Sequence, residues 1–244
     1  MNQKSLEVHL QMEDISMSKP CPIQGIAISQ DCVECKNRLC KKPNKKIKQI
    51  VIGIDQSYQC CGISIIVDGK IKKIDSLDLS FTDNKTLKRL ALQERLEQIL
   101  FKLQNRGNII CIIERIRQFS QGFINMNYIK GIGALNSVIV DTCYKQNVPV
   151  YSVDTRAWKA AVIGTSKPKE NNWNTPPEKW PMIEWLIKKG YEKDLLIEIT
   201  NTRKTKFVFE KYGKRWTYNN DAADSVGIGL FWFIGDKDKL LKEG

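Results

Sequence analysis

QIVIGIDQSY, residues 49–58, opens with a β-branched, nearly continuous apolar run and turns polar at Asp55. A run of this kind reads as a strand buried on both faces. Working outward, CGISIIV (61–67), the turn DGK (68–70) and the partly alternating IKKIDSLDL (71–79) predict a hairpin, giving three antiparallel strands in succession. NKTLKRLALQERLEQILFKLQNRG (84–107) spaces its leucines and isoleucines at three and four, which predicts an amphipathic helix stopped by Gly107. NIICIIE (108–114) is a second buried strand, and residues 122–147 read as a helix whose Gly131, Gly133 and Ala134 permit close packing. VPVYSV (148–153) is a further strand, followed by the helix DTRAWKAAVIG (154–164), capped by Asp154 or Thr155. The order βββαβαβα predicts an α/β fold, a mixed sheet flanked by helices.

Upstream, KKPNKKIK (41–48) reads as a basic linker and the clearest domain boundary. It separates a Cys-rich element, 1–46, from a larger domain, 47–244. Within that domain, residues 165–216 form an irregular insertion. It comprises a polar loop, a helix with proline near its start, and a hairpin over LLIEITNTRKTKFVFEKYGKRWTY (195–218). In the hairpin, Arg203, Lys204, Lys206, Lys211, Lys214 and Arg215 alternate with Phe207, Phe209, Tyr212 and Trp216. Cations beside aromatics suit a surface that meets phosphates and stacks on bases. The same pattern equally describes a solvated hairpin with its aromatics packed inward.

Hydrophobic residues make up 42% of the 244, enough for a real core, and 39 Lys and Arg against 27 Asp and Glu leave a net charge of +12. That surplus favours a polyanionic partner. Neither a run of about eighteen apolar residues nor a signal-peptide core is present, so the expectation is a soluble, cytoplasmic protein that meets nucleic acid rather than membrane. Of eight cysteines, Cys60, Cys61, Cys111 and Cys143 lie in apolar segments and read as small buried hydrophobes. Cys21, Cys32, Cys35 and Cys40 crowd together around a C-x-x-C, and four thiolates there could close a zinc site or carry an iron–sulfur cluster. Free thiols are the alternative.

Asp55 and Glu114 each end an apolar strand, and YNNDAADSVGIGLFWF (218–233) places Asp221 and Asp224 at the head of an apolar helix. Singly, such acids terminate strands or complement a helix dipole. Parallel neighbouring strands would set the first two side by side, and a helix packed across the sheet would bring the i and i+3 acids beside them. Four clustered carboxylates repel one another unless a cation sits among them. Two Mg²⁺ or Mn²⁺ ions in such a cluster support phosphodiester hydrolysis. The chain has one histidine, His9, which leaves little scope for general-base work by imidazole.

In combination, GIDQSYQCCGISI, CIIERIRQF and DAADSVGIGL resemble the three motifs of RuvC-type Holliday junction resolvases, in order, over about 50–165 and 217–235. The resemblance implies a ribonuclease H-like fold, a homodimer, and Mg²⁺-dependent paired nicking of four-way DNA junctions. It also implies that Asp55, Glu114, Asp221 and Asp224 are the catalytic, metal-binding set, and that Lys159 and Lys167 occupy phosphate-contacting positions. Arg117 stands where members of the family tend to carry an aromatic near the junction centre, with Phe119 as a substitute. The cysteine-bearing N-terminus and the insertion look like a phage or mobile-element version, acting in the cytoplasm of a bacterial or phage-infected cell. The other readings are a nuclease of the same fold for other branched DNA or RNA–DNA hybrids, and a junction-binding protein without catalysis.

Overall fold

The computed structural model describes residues 47–116, 126–164, 180–199 and 208–243, all within one compact unit, 46–244. Strands β1 (Gln49–Asp55), β2 (Cys60–Val67) and β3 (Lys70–Asp78) are antiparallel neighbours. Helix α1 (Lys85–Leu103) returns the chain to β4 (Asn108–Glu114), which lies parallel to β1. Helix α2 (Met126–Lys145) leads to β5 (Val150–Val153), parallel to β4. Helices α3 (Thr155–Ile163) and α4 (Pro181–Lys188) follow. A small sheet of β6 (Leu196–Glu198), β7 (Phe209–Lys211) and β8 (Lys214–Tyr218) comes next, then helix α5 (Asn220–Ile234) and strand β9 (Leu240–Glu243). The main sheet runs β3-β2-β1-β4-β5-β9. This is the expected α/β architecture, a mixed sheet in which three antiparallel strands are continued by the parallel β4 and β5 and closed by the antiparallel β9.

Alternation along the strands divides the core into two layers. On one face Ile50, Ile52, Ile54, Cys111 and Ile113 pack with Leu92, Leu96, Leu100, Leu135 and Ile139 of α1 and α2. On the other, Val51, Ile110 and Ile112 pack with Trp158, Ile183, Leu186, Val226 and Phe231 of α3, α4 and α5. Each fully buried Ile or Leu contributes about 1.5–3 kcal/mol. Exposed ion pairs such as Lys188–Glu184 add roughly 0–1 kcal/mol each. Burial of the two sheet faces therefore dominates the fold.

Four local details differ from the sequence expectation or refine it. Helix α1 begins at the cap Asn84, whose side chain accepts from the Thr86 and Leu87 amides, but Gly107 does not end it. The chain leaves the helix through Asn105, at φ 65°. Gly107 instead packs so tightly on Lys48 that a Cβ would fall 2.2 Å from its carbonyl oxygen. The hairpin over 195–218 is a three-stranded sheet in which β8 is central. Strand β9, antiparallel to β5 at the sheet edge, was not expected, because LLKE is too short to announce itself by alternation.

Candidate active site

Register brings the first two acids together. β1 and β4 pair in parallel from Gln49↔Asn108 to Ile54↔Ile113, so Asp55 and Glu114 are the next residues along adjacent strands. Two-residue alternation gives Asp55 the face of Val51 and Glu114 the face of Ile110 and Ile112. That is the face covered by α5. Gln56, buried at the end of β1, ties the two strand ends together, since its Nε2 donates to the Glu114 carbonyl and its Oε1 accepts from the Glu114 amide at 3.2 Å.

Helix α5 brings the second pair. Asn219 caps it, accepting from the Ala222 amide at 3.0 Å. The helix is buried from Ala222 through Phe231 and lies almost backbone to backbone on the sheet. A Cβ on Gly53 would come within 2.2 Å of the Ser225 carbonyl oxygen, and one on Gly62 within 1.9 Å of the Asp221 carbonyl oxygen. Glycine in a strand or helix interior costs about 0.5–1 kcal/mol relative to alanine. The close approach these glycines allow is what sets Asp221 and Asp224 over the end of β1. Ser64 Oγ fastens the contact, donating to the Ser225 carbonyl at 2.9 Å.

The electrostatics follow from this crowding. Burial, and then the charges of Asp224, Glu114 and Asp221, push the Asp55 carboxyl well above the usual range, with Lys159 acting against them. Burial raises Asp224 to about 7, offset in part by Lys159 and reinforced by Glu114 and Asp221. Asp221 is raised to about 6, chiefly by burial, with a hydrogen bond from the Cys60 thiol opposing. Lys159 Nζ stands 3.9 Å from Asp224 Oδ2, and Asn220 Nδ2 donates to the same oxygen at 3.4 Å. Glu114 has partners of its own. Thr155 Oγ1 donates to Oε1 at 2.5 Å and Trp158 Nε1 to Oε2 at 3.3 Å.

Among the described residues, no three His, Cys, Asp or Glu side chains stand at a ready-made chelating spacing. The donor set nevertheless fits a hard divalent cation. It is all oxygen, its acids raise one another's affinity for positive charge, and among the described residues a single lysine stands against four carboxylates.

The remaining expected site residues divide in two. Lys159 belongs to the acidic cluster, and Arg215 is exposed on β8. Arg117, Phe119, Lys167, Arg203, Lys204 and Lys206, with Cys21, Cys32, Cys35 and Cys40, lie outside the described residues. In the small sheet, Lys211 pairs with Glu192 and Lys214 with Glu198, each at 2.7 Å. Phe209 stacks on Tyr218 and the Trp216 indole donates to the Lys211 carbonyl at 2.7 Å. Among the described residues of that stretch, Phe209, Lys211 and Trp216 are thus engaged within the small sheet, while Tyr212, Lys214 and Arg215 are exposed. Cys60, expected as a buried hydrophobe, is a half-buried thiol beside Asn219, pushed up to about 12 by burial and the Asp221 charge.

Sequence reasoning missed Gln56, Thr155 and Trp158. Two signals pointed to them: Gln56 directly follows a strand-ending acid, and Thr155 and Trp158 share a helix face at i, i+3.

No protein-family model and no curated protein sequence matches the chain. Among solved structures it is similar to Thermus thermophilus RuvC, with a TM-score of 0.49 and 12% identity over 80% of this chain and 99% of that one. The T. thermophilus RuvC complex with a Holliday junction substrate gives 0.47 and 12%, over 75% and 90%. The yeast mitochondrial Holliday junction resolvase Ydc2 gives 0.40 and 17%, over 75% and 76%.

Proposed function

We propose that this chain is a divalent-metal-dependent endonuclease that resolves four-way DNA junctions by paired phosphodiester hydrolysis, acting as a homodimer. The observation that carries this reading is the convergence of Asp55, Glu114, Asp221 and Asp224 from two strand ends and one helix, with burial and then mutual repulsion raising Asp55 and Asp224. Buried carboxylates set against one another in this way are costly to a fold and point to a cation-dependent role. The four acids would hold Mg²⁺ or Mn²⁺, two ions per site. Bound there, such ions supply Lewis acidity toward the phosphodiester and make an attacking water more acidic.

The chain's own residues do the rest. The four carboxylates orient the site, and Lys159 offsets part of their charge at the position where a phosphate would approach. Net charge of +12 draws a polyanion toward an otherwise anionic centre. Lys159, Lys167, Arg117, Phe119, Arg203, Lys204, Lys206 and Arg215 are the proposed DNA contacts, and Cys21, Cys32, Cys35 and Cys40 a proposed zinc site. Two symmetry-related copies would address two equivalent strands of a junction.

The test is cleavage of a labelled, immobile four-way junction beside linear duplex, other branched DNA and RNA–DNA hybrid, with Mg²⁺ and with EDTA. Paired, metal-dependent nicks confined to the junction are the expected result. Preferential cutting of the hybrid or of other branched DNA moves the substrate elsewhere, and tight junction binding with no cutting removes the catalytic assignment.

A further inference from the structure

Helix α3 grips both oxygens of Glu114. Thr155 Oγ1 holds Oε1 at 2.5 Å and Trp158 Nε1 holds Oε2 at 3.3 Å. An ionised carboxylate only accepts, so both contacts are donations to it, and each oxygen keeps a lone pair for a further partner. Trp158 is fully buried, and its ring fills the space over Gly227, where a Cβ would come within 2.4 Å of it. Gly227 follows Asp224 by three residues on α5. The adjacent Lys159 reaches Asp224 and lies 5.1 Å from the Trp158 ring centroid. One helix therefore touches one of the two acids contributed by the sheet, Glu114, and one of the two contributed by α5, Asp224.

This arrangement bears on a specific difficulty. Glu114 has a flexible side chain and two acidic neighbours, Asp55 and Asp224, that repel it, so without restraint it would turn toward solvent. A hydroxyl at one oxygen and a rigid, packed indole at the other oppose that rotation and select which lone pairs face the cluster.

We propose that Thr155 and Trp158 are positioning residues that set the affinity of the acidic cluster for a divalent cation by orienting Glu114. The inference rests on the reading of the four acids as a cation site. Partners that orient a metal ligand typically change metal affinity by about 10–100-fold when removed.

The test is Mn²⁺ binding by the full chain without DNA, followed by the electron paramagnetic resonance signal of free Mn²⁺. It compares wild type with Thr155→Val, Thr155→Ser, Trp158→Phe and Asp55→Asn, with circular dichroism melts to confirm folding. Thr155→Val keeps the shape of the side chain and loses the donor. It should weaken Mn²⁺ binding about 10-fold or more, with Thr155→Ser restoring it. Trp158→Phe should weaken it as well. Because that variant disturbs packing over Gly227, the threonine pair remains decisive if Trp158→Phe fails to fold. Wild-type affinity in Thr155→Val overturns the positioning role while leaving the cation site standing. Wild type that binds no Mn²⁺, or no more tightly than Asp55→Asn, overturns the cation site and this inference with it.

Discussion

Gly62 lies directly beneath the first turn of α5, so close that a Cβ on it would fall 1.9 Å from the carbonyl oxygen of Asp221. The obstacle is backbone, not a flexible side-chain end, so it cannot swing aside. Gly62→Ala should therefore lift the head of α5, displacing Asp221 and lowering stability by about 1–3 kcal/mol. Urea midpoints and junction nicking check it. Gly133→Ala, on α2 where a Cβ meets nothing within 4 Å among the described residues, is the contrasting case. It should be neutral or stabilising by about 0.5–1 kcal/mol.

Asp55 is the acid whose charge is opposed by all three of the others. Asp55→Asn should abolish cleavage while junction binding, measured by gel shift in EDTA, stays equal or tightens. Removing the buried charge should also raise the melting temperature of the EDTA-treated protein by a few degrees, the shift expected of roughly 1 kcal/mol in a chain this long. Retained cutting by this variant would sink the assignment of the four acids.

Lys159 is the cation within ion-pair reach of Asp224. If it also receives a phosphate, Lys159→Met should weaken junction binding on all sequences alike and reduce the slope of log affinity against log salt by about 1. A slope equal to that of wild type would confine Lys159 to partnering Asp224.

A different group governs the acid edge of stability. Burial acts to raise the Asp75 carboxyl, but the hydrogen bond and charge of Lys73, the charge of Arg95 and the Ser76 amide outweigh it, and the group is held below the usual carboxylate range. Its folded pKa is depressed, so its contribution is fully present above the usual value of 3.8 and is lost as pH falls through the lower, folded one. Asp75→Asn should thus be less stable than wild type by up to about 1 kcal/mol near neutrality. Denaturant titrations should show the difference shrinking below pH 4.

What the sequence revealed depended on periodicity. The apolar runs ending in Asp55 and Glu114 announced buried strands, and the acids three apart before VGIGLFWF announced a helix whose head carries charge. Those patterns are local, and the sheet order follows from them once connections are short. The grip of Thr155 and Trp158 on Glu114 crosses 41 and 44 residues, respectively, and the Gln56 contact with the Glu114 backbone crosses 58. Contacts over such separations leave no repeat in the chain. The glycines were visible as residues, but only the helix-on-strand approach shows why Gly53 and Gly62 have no side chain. Cys60 misled because a thiol in an apolar run looks the same whether or not an acid lies beyond it.

The main sheet ends at β3 on one side and β9 on the other. Among the described residues no strand pairs with the outer edge of β3, which carries Lys70, Lys72 and Lys73, and β9 has four residues. Laying two copies side by side would oppose rows of lysines or offer too few backbone groups to hold a continuous sheet. A protein drawn to a polyanion becomes locally concentrated on it, and molecules crowded there are at risk of zipping into aggregates. The charged margin and the short one disfavour strand-to-strand pairing of such molecules along these two edges.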